Sequence, residues 1–163
     1  MAAINADPEV WAALRPDTPF DPDFVDGRFD HHLAHWEEHG FGQFAVEERA
    51  SGSIVGWVGP WHPVFAPDLA EEVELGWTLR PSWWGRGLAS EAAAAALEAA
   101  FARLPVTRII SLIHPENARS AAVARRLGMR HLDDTRHPGL DMPLRVYVAS
   151  RGEPAVSTDG DSS

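Results

Sequence analysis

The stretch that most restricts what this chain can fold into runs from Glu71 to Arg103. Val73, Leu75, Trp77 and Leu79 alternate with Glu72, Glu74 and Thr78, which is the period of a strand with two unlike faces. Gly76 in their midst marks a bulge or a point of close backbone approach. Pro81 ends the alternation and Gly85 and Gly87 supply a turn. Gly87–Arg103 then reads as a helix so rich in alanine that its backbone can lie close to a sheet or a ligand. A strand that passes through a glycine turn into a helix start aims several free N–H groups, and the positive end of the helix dipole, at one spot. That arrangement holds pyrophosphate with few side chains, although the same pattern also fits a plain tight connection.

The remaining segments read around this unit. Asp7 caps and Pro8 opens a short helix to about Leu14, and Phe24, Val25, Phe29, Leu33 and Trp36 recur at helical spacing up to Gly40. Gln43–Glu48 and Ser53–Gly59 alternate as strands around the turn Ala50-Ser51-Gly52, and Pro60–Pro67 reads as a loop. Val106–Ile113 is an apolar run suited to a strand buried on both faces. Asn117–Leu127 is a helix stopped by Gly128, and Met129–Asp134 and Leu144–Ala149 are the final strands. The order predicts one α/β domain on a mixed sheet over residues 1–149, of a size that buries its own core, with a disordered tail over 150–163.

Composition removes several function classes. No apolar run approaches the length of a membrane span, so a membrane protein is not expected. The opening Met-Ala-Ala-Ile-Asn-Ala-Asp has no basic segment followed by an apolar one, and there is no cysteine. The expectation is therefore a cytoplasmic protein without disulfides or thiolate chemistry. The net charge of −10 is unevenly spread: residues 1–79 carry −12, residues 80–151 carry +5 and residues 152–163 carry −3. An acidic total argues against a nucleic-acid partner, whose phosphates need a basic face. The basic half fits a compact anionic ligand and the acidic half a cationic one. Every basic residue is Arg, so a Walker loop, which needs Lys, is excluded. Gly85 and Gly87 begin a dinucleotide fingerprint that meets Ser90 in third place, and Glu116 can imitate its ribose-binding acid. Too few parallel-type strands follow to complete a doubly wound sheet. His31, His35 and His39 share a helix face at a spacing that can hold a metal. With no acidic ligand motif beside them, no metal site is expected. Phe24, Phe29, Trp36 and Trp61 read as core or pocket wall.

Three blocks in register carry a resemblance to a known family. Trp84-Gly85-Arg86-Gly87-Leu88-Ala89-Ser90-Glu91 resembles the acetyl-CoA loop of the GCN5-related N-acetyltransferases (GNAT). Glu72-Val73-Glu74-Leu75-Gly76-Trp77 upstream resembles a second signature block of that family. His114-Pro115-Glu116-Asn117 with Ser120, and Leu127-Gly128-Met129, resemble its downstream signatures. The likeness runs from about Ala6 to Val148 and is nearest to the branch that acetylates the N-termini of ribosomal proteins. It implies a mixed, mostly antiparallel central sheet flanked by helices and splayed between two central strands. Relative to the family the first strand is missing, which leaves Gln43–Glu48 near a sheet edge and makes a homodimer possible. The tyrosine that many members place near the departing sulfur is replaced by Ala124.

What the resemblance implies is direct acetyl transfer from acetyl-CoA, as co-substrate, to a primary amine such as a peptide N-terminus or a small amine. Trp84, Gly85, Arg86, Gly87, Leu88, Ala89 and Ser90 would form the pyrophosphate loop, and backbone groups of Trp77, Thr78 and Leu79 would pair with the pantetheine arm. Asn117 would hydrogen-bond that arm. A bulge near Gly76 would open the sheet and present an N–H to the oxyanion. Arg80, Arg119, Arg125 and Arg126 are candidate partners for CoA phosphates. Glu74 is the candidate base and Ser120 the hydroxyl that donates to the departing thiolate. The alternative is a non-catalytic acyl-CoA-binding module of the same fold, and a dinucleotide-dependent oxidoreductase is the third reading.

Overall fold

Residues 2–152 are described by the computed structural model, and six of their segments form one sheet. The strands are β1 (Phe44–Glu48), β2 (Ser53–Trp61), β3 (Glu74–Leu79), β4 (Arg108–Ile113), β5 (Arg130–His137) and β6 (Met142–Ser150). They lie in the order β1-β2-β3-β4-β6-β5, antiparallel throughout except between β3 and β4. The helices are α1 (Ala2–Asn5), α2 (Pro8–Leu14), α3 (Pro22–His39), α4 (Leu88–Arg103) and α5 (Ala118–Arg126). This is the predicted mixed, mostly antiparallel sheet. A doubly wound dinucleotide fold needs a run of parallel strands, and this sheet has one parallel pair.

The alanines of α4 decide how closely that helix meets the sheet. Ala93 and Ala100 are 0% and 4% exposed and pack with Val58, Val73, Leu75 and Ile109 in the main core. Ala124 of α5 is also fully buried there, so its position faces the sheet and offers nothing to a site on the opposite side of the helix. Asp7 caps α2 through Glu9 N–H (2.9 Å), and Asn117 Oδ1 caps α5 by accepting from Ser120 N–H (3.0 Å).

Four details differ from the sequence reading. First, β2 continues through Pro60 and Trp61, which the proline content assigned to a loop. Arg80 N–H donates to Val55 O, so odd-numbered residues of β2 face β3 and even ones face β1. Pro60 thus turns its missing N–H toward β1, whose first residue, Phe44, pairs only as far as Val58. Second, the β2–β3 register runs through Gly76 unbroken, so the predicted bulge there is absent. The shifts lie at Val46/Glu47 and His131/Asp133. Third, a short helix, α1, precedes Asp7. Fourth, β6 runs through Ser150, and Arg151 is fixed by its N–H to Thr107 O (2.8 Å) and its guanidinium to Leu104 O and Val106 O. The rest of the predicted tail, from Glu153, lies outside the described residues.

The sheet opens between β3 and β4 without a bulge. Their pairing is confined to Glu74↔Ile110, where Ile110 N–H reaches Val73 O at 2.9 Å. Beyond it side chains replace the ladder. Ser111 Oγ donates to Leu75 O (2.7 Å), and Glu74 Oε1 accepts from Leu112 N–H (3.4 Å), an amide that points at the parted strand.

Candidate active site

The turn after β3 is built to leave amides free. Pro81–Trp83 forms a single 3-10 turn, Gly85 and Gly87 take left-handed backbone angles (φ 75° and 79°), and Gly87 stands at the N-cap of α4 without a side-chain cap. The first helical bond of α4 is Glu91 N–H to Gly87 O (3.0 Å), so the N–H groups of Leu88, Ala89 and Ser90 have no helical acceptor. Trp84 Nε1 donates to Leu79 O (2.8 Å) and ties the turn to the end of β3.

A groove of about 550 Å³ lies over this turn. Of the residues the sequence singled out, Trp77, Thr78, Leu79, Trp84, Gly85, Gly87, Leu88, Ala89, Ser90, Asn117 and Ser120 line it. Arg86 does not: its guanidinium stacks on Trp83, 4.6 Å from the ring centre. Arg119, stacked on Trp84 at 4.7 Å, and Arg126 line the groove, whereas Arg80 and Arg125 lie away from it. Two buried hydroxyls among these residues, Thr78 Oγ1 and Ser90 Oγ, have no hydrogen-bond partner among the described residues.

Strand parity refines which backbone groups of β3 are open. The Arg80–Val55 bond sets even residues of β3 toward β2, so Thr78 spends its backbone on Trp57. Trp77 and Leu79 face the gap, but Leu79 O is already taken by Trp84. The groups left facing the gap are Trp77 N–H, Trp77 O and Leu79 N–H. Thr78 contributes its hydroxyl instead.

A second cavity, of about 100 Å³, continues from the groove into the opening between β3 and β4. Leu14, Trp77, Thr78, Asn117 and Ser120 belong to both walls, so Ser120 stands at the junction, while Glu74 lines only the inner chamber. Glu74 is 7% exposed, not the surface charge its alternation allowed. Aromatic walls come from Trp57 and Trp61 of β2 and from Phe65, which stacks on His137 at 4.5 Å. His114 also lines it. Its Nδ1 accepts from Glu116 N–H (3.2 Å), and its Nε2 lies 3.6 Å from Asp17 Oδ2. Sequence reasoning missed Gln43, Thr78 as a side chain, Trp57 and His114 as wall residues. The one hint was the placement of His114 at the end of β4.

The three helix histidines do not converge on a ligand set. His35 Nδ1 bonds Phe41 O (2.9 Å) and its Nε2 accepts from His62 N–H (3.0 Å), so both nitrogens are engaged. Burial first, and the neighbouring His39 and His62 after the opposing bond to Phe41, hold its pKa below the ordinary 6.5. Among the described residues no group of three or more His, Asp or Glu is arranged to hold a metal, and no helix is long and apolar enough to cross a membrane. Trp36 packs edge-on against Phe44 (5.1 Å) and lines neither cavity, and the side chains of Phe24 and Phe29 lie outside the described residues.

Comparison with known proteins agrees with this geometry. Residues 1–130 match the family model "Acetyltransferase (GNAT) domain". The chain is 41% identical over 89 residues to the uncharacterized N-acetyltransferase YnaD of Bacillus subtilis, covering 54% of this chain and 49% of the relative, so it spans about half that relative's length. A crystal structure of an acetyltransferase from Agrobacterium tumefaciens superposes with a TM-score of 0.76 at 31% identity, covering 92% of this chain and 82% of the other. The spermidine N-acetyltransferase of Vibrio cholerae, solved with CoA and spermine, shares the fold (TM-score 0.68, 92% and 87% covered) at only 15% identity. The sheet that opens beside a glycine turn, and a family match over most of the chain, together make this protein a member of the GNAT acetyltransferase family.

Proposed function

We propose that this chain transfers the acetyl group of acetyl-CoA to a primary amine by direct attack in a ternary complex. The observation that carries the reading is the meeting of two cavities of unequal size at Ser120. The groove has the parts a CoA ligand requires: uncapped amides at Leu88, Ala89 and Ser90 for the pyrophosphate, the hydroxyls of Thr78 and Ser90, and Arg119 and Arg126 on its rim. In this reading Trp77 and Leu79 hold the pantetheine arm by their gap-facing backbone. Asn117 keeps its Nδ2 for that arm while its Oδ1 caps α5. Acetyl-CoA, when bound, would supply the activated thioester.

The protein's own residues then divide the work. Glu74 takes the proton of the attacking amine, directly or through water, from inside the small chamber. Trp77 N–H donates to the oxygen on which charge develops, and Ser120 donates to the departing thiolate. The amine carries the new N–C bond away as an amide, and CoA leaves as the thiol.

The observation favouring the second reading, a non-catalytic acyl-CoA-binding module, is the burial of Ala124 where many relatives have a tyrosine. Release of thiol from acetyl-CoA, measured with and without a panel of amines, separates the two. Acceptor-dependent thiol supports the enzyme, and tight binding without it supports the module. We also propose that β1, an edge strand with half-exposed Phe44, pairs with a second copy of the chain. Light scattering showing monomer alone at high protein concentration would remove that proposal.

A further inference from the structure

We infer that Gln43 selects the acceptor: its carboxamide reads a neutral group, able both to donate and to accept a hydrogen bond, on a small primary amine held in the inner chamber. This inference rests on the proposed acetyl transfer and names the class of amine that transfer uses.

Gln43 is 7% exposed and lines the inner chamber, yet neither Nε2 nor Oε1 has a hydrogen-bond partner among the described residues. A buried amide unpaired at both ends costs stability, and a fold does not keep it without a use. Its backbone is fixed from three sides. Trp36 Nε1 donates to Gln43 O (3.0 Å), Gly42 lies so close to the Trp36 indole that a Cβ there would sit 2.5 Å from Nε1, and Gly59 leaves no room for a Cβ against Gly42 O (2.5 Å). The point from which the side chain enters the chamber is therefore fixed. Its Nε2 passes over Gly76, where a Cβ would meet both it and Trp57 Cζ3 at 3.3 Å, a tight fit that favours a glycine at that point of β3.

The chamber's other features fix the kind of group Gln43 meets. Among the residues lining it the charged side chains are Glu74 and Arg15, one of each sign, so the −12 of residues 1–79 does not extend into the cavity. A second cation on the acceptor would find no unmatched carboxylate there. Indole walls at Trp57 and Trp61 suit a short apolar body. A volume of about 100 Å³ is that of a few waters, which limits the enclosed part to a handful of heavy atoms. An amine bearing a carboxamide meets all of these conditions: the amine lies toward Glu74 and Ser120, and the amide exchanges two hydrogen bonds with Gln43.

The test uses the full chain with acetyl-CoA and three amines of similar size: alaninamide, isobutylamine, and 1,3-diaminopropane. The wild type is expected to use alaninamide at least about tenfold better, in kcat/KM, than isobutylamine, because a site built around a hydrogen bond rejects the analogue that lacks it. Gln43→Met, similar in length and shape, should collapse that ratio by about ten- to a hundredfold. Gln43→Glu should move preference toward diaminopropane. Calorimetric binding of acetyl-CoA shows that each variant is folded, and if Gln43→Met is not, Gln43→Glu and the wild-type panel decide. A wild type indifferent to the amide, or a folded variant with an unchanged ratio, overturns the inference while leaving acetyl transfer intact. Failure to bind acetyl-CoA, or no thiol release with any amine, overturns the proposed transfer instead. In the latter case quenching of tryptophan fluorescence by alaninamide in the CoA complex, lost in Gln43→Met, still supports Gln43, and its absence overturns it.

Discussion

The groove and the inner chamber meet at Ser120 but are made of opposite materials. The groove's polar floor is backbone, with two glycines of positive φ, three uncapped amides and one strand edge from the continuous segment Trp77–Ser90, while side chains of α2 and α5 complete its walls. The chamber is side chain: Arg15 after α2, Gln43 before β1, Trp57 and Trp61 on β2, Glu74 on β3, His114 after β4 and His137 on β5. In the proposed reading the backbone site would bind what every acyl-CoA shares and would tolerate change in its side chains. A side-chain site assembled from distant elements can be altered one residue at a time, which is how one fold comes to serve many acceptors.

The sharpest way to break this comparison is at Glu74. Glu74→Gln keeps an oxygen for Leu112 N–H, so the fold should hold while the rate falls by about a hundred- to ten-thousandfold at low pH, where the amine is protonated. Part of the loss should return as pH rises through the pKa of the amine. A pH-independent deficit would make Glu74 a residue of position only. Ser120→Ala should come next, lowering kcat and kcat/KM together by about ten- to a thousandfold, with acetyl-CoA affinity nearly unchanged. Wild-type turnover in that variant would remove Ser120 from the chemistry.

The backbone side of the comparison is sharpened by Gly87→Val. A Cβ at Gly87 meets nothing in the protein within 4 Å, so the cost to the fold is the strain of φ 79°, about 1–2 kcal/mol. In the proposed reading the added bulk stands where phosphate would approach the amides, and calorimetry should show acetyl-CoA affinity lower by about tenfold or more. Undiminished binding would move the pyrophosphate elsewhere. The smallest effect concerns neither site. Folding keeps His35 below its ordinary pKa of 6.5, so the unfolded chain takes up a proton that the folded one refuses. That stability is complete above 6.5 and is lost as pH falls through it toward the folded value. Melting temperature should drop by a few degrees between about pH 7.5 and about pH 5.5, and less so in His35→Gln.

How much was legible in the sequence follows the same division. The turn from Trp84 to Ser90 could be read because strand, glycines and helix start are adjacent in the chain, and their hydrogen-bonding consequences are local. Asp7 and Asn117 as caps were legible for the same reason. Gly76 was noticed as a close approach, but what approaches it is Gln43, 33 positions earlier in the chain, and no local pattern reports such a meeting. The same holds for Thr78, whose backbone was expected to serve the gap. Which side a strand residue's N–H takes depends on the register with β2, a fact two strands must supply together. Pro60 was assigned to a loop on composition, and only the short length of β1 makes a strand proline acceptable there.

The single ladder pair between β3 and β4 has a mechanical consequence. Two three-stranded leaves, β1-β2-β3 and β4-β6-β5, are joined across the middle by the ladder pair Glu74↔Ile110 and the side chains of Ser111 and Glu74, and both pack into one core with α4 and α5. Along such a seam the shared core, more than the ladder, keeps the two leaves together. An elongated ligand lying in the seam acts as a rivet, borrowing the unpaired amides of β3 on one leaf and Asn117 and Ser120 at the start of α5 on the other. Occupancy would therefore tighten the seam as well as fill a groove, adding backbone bonds where the sheet has fewest.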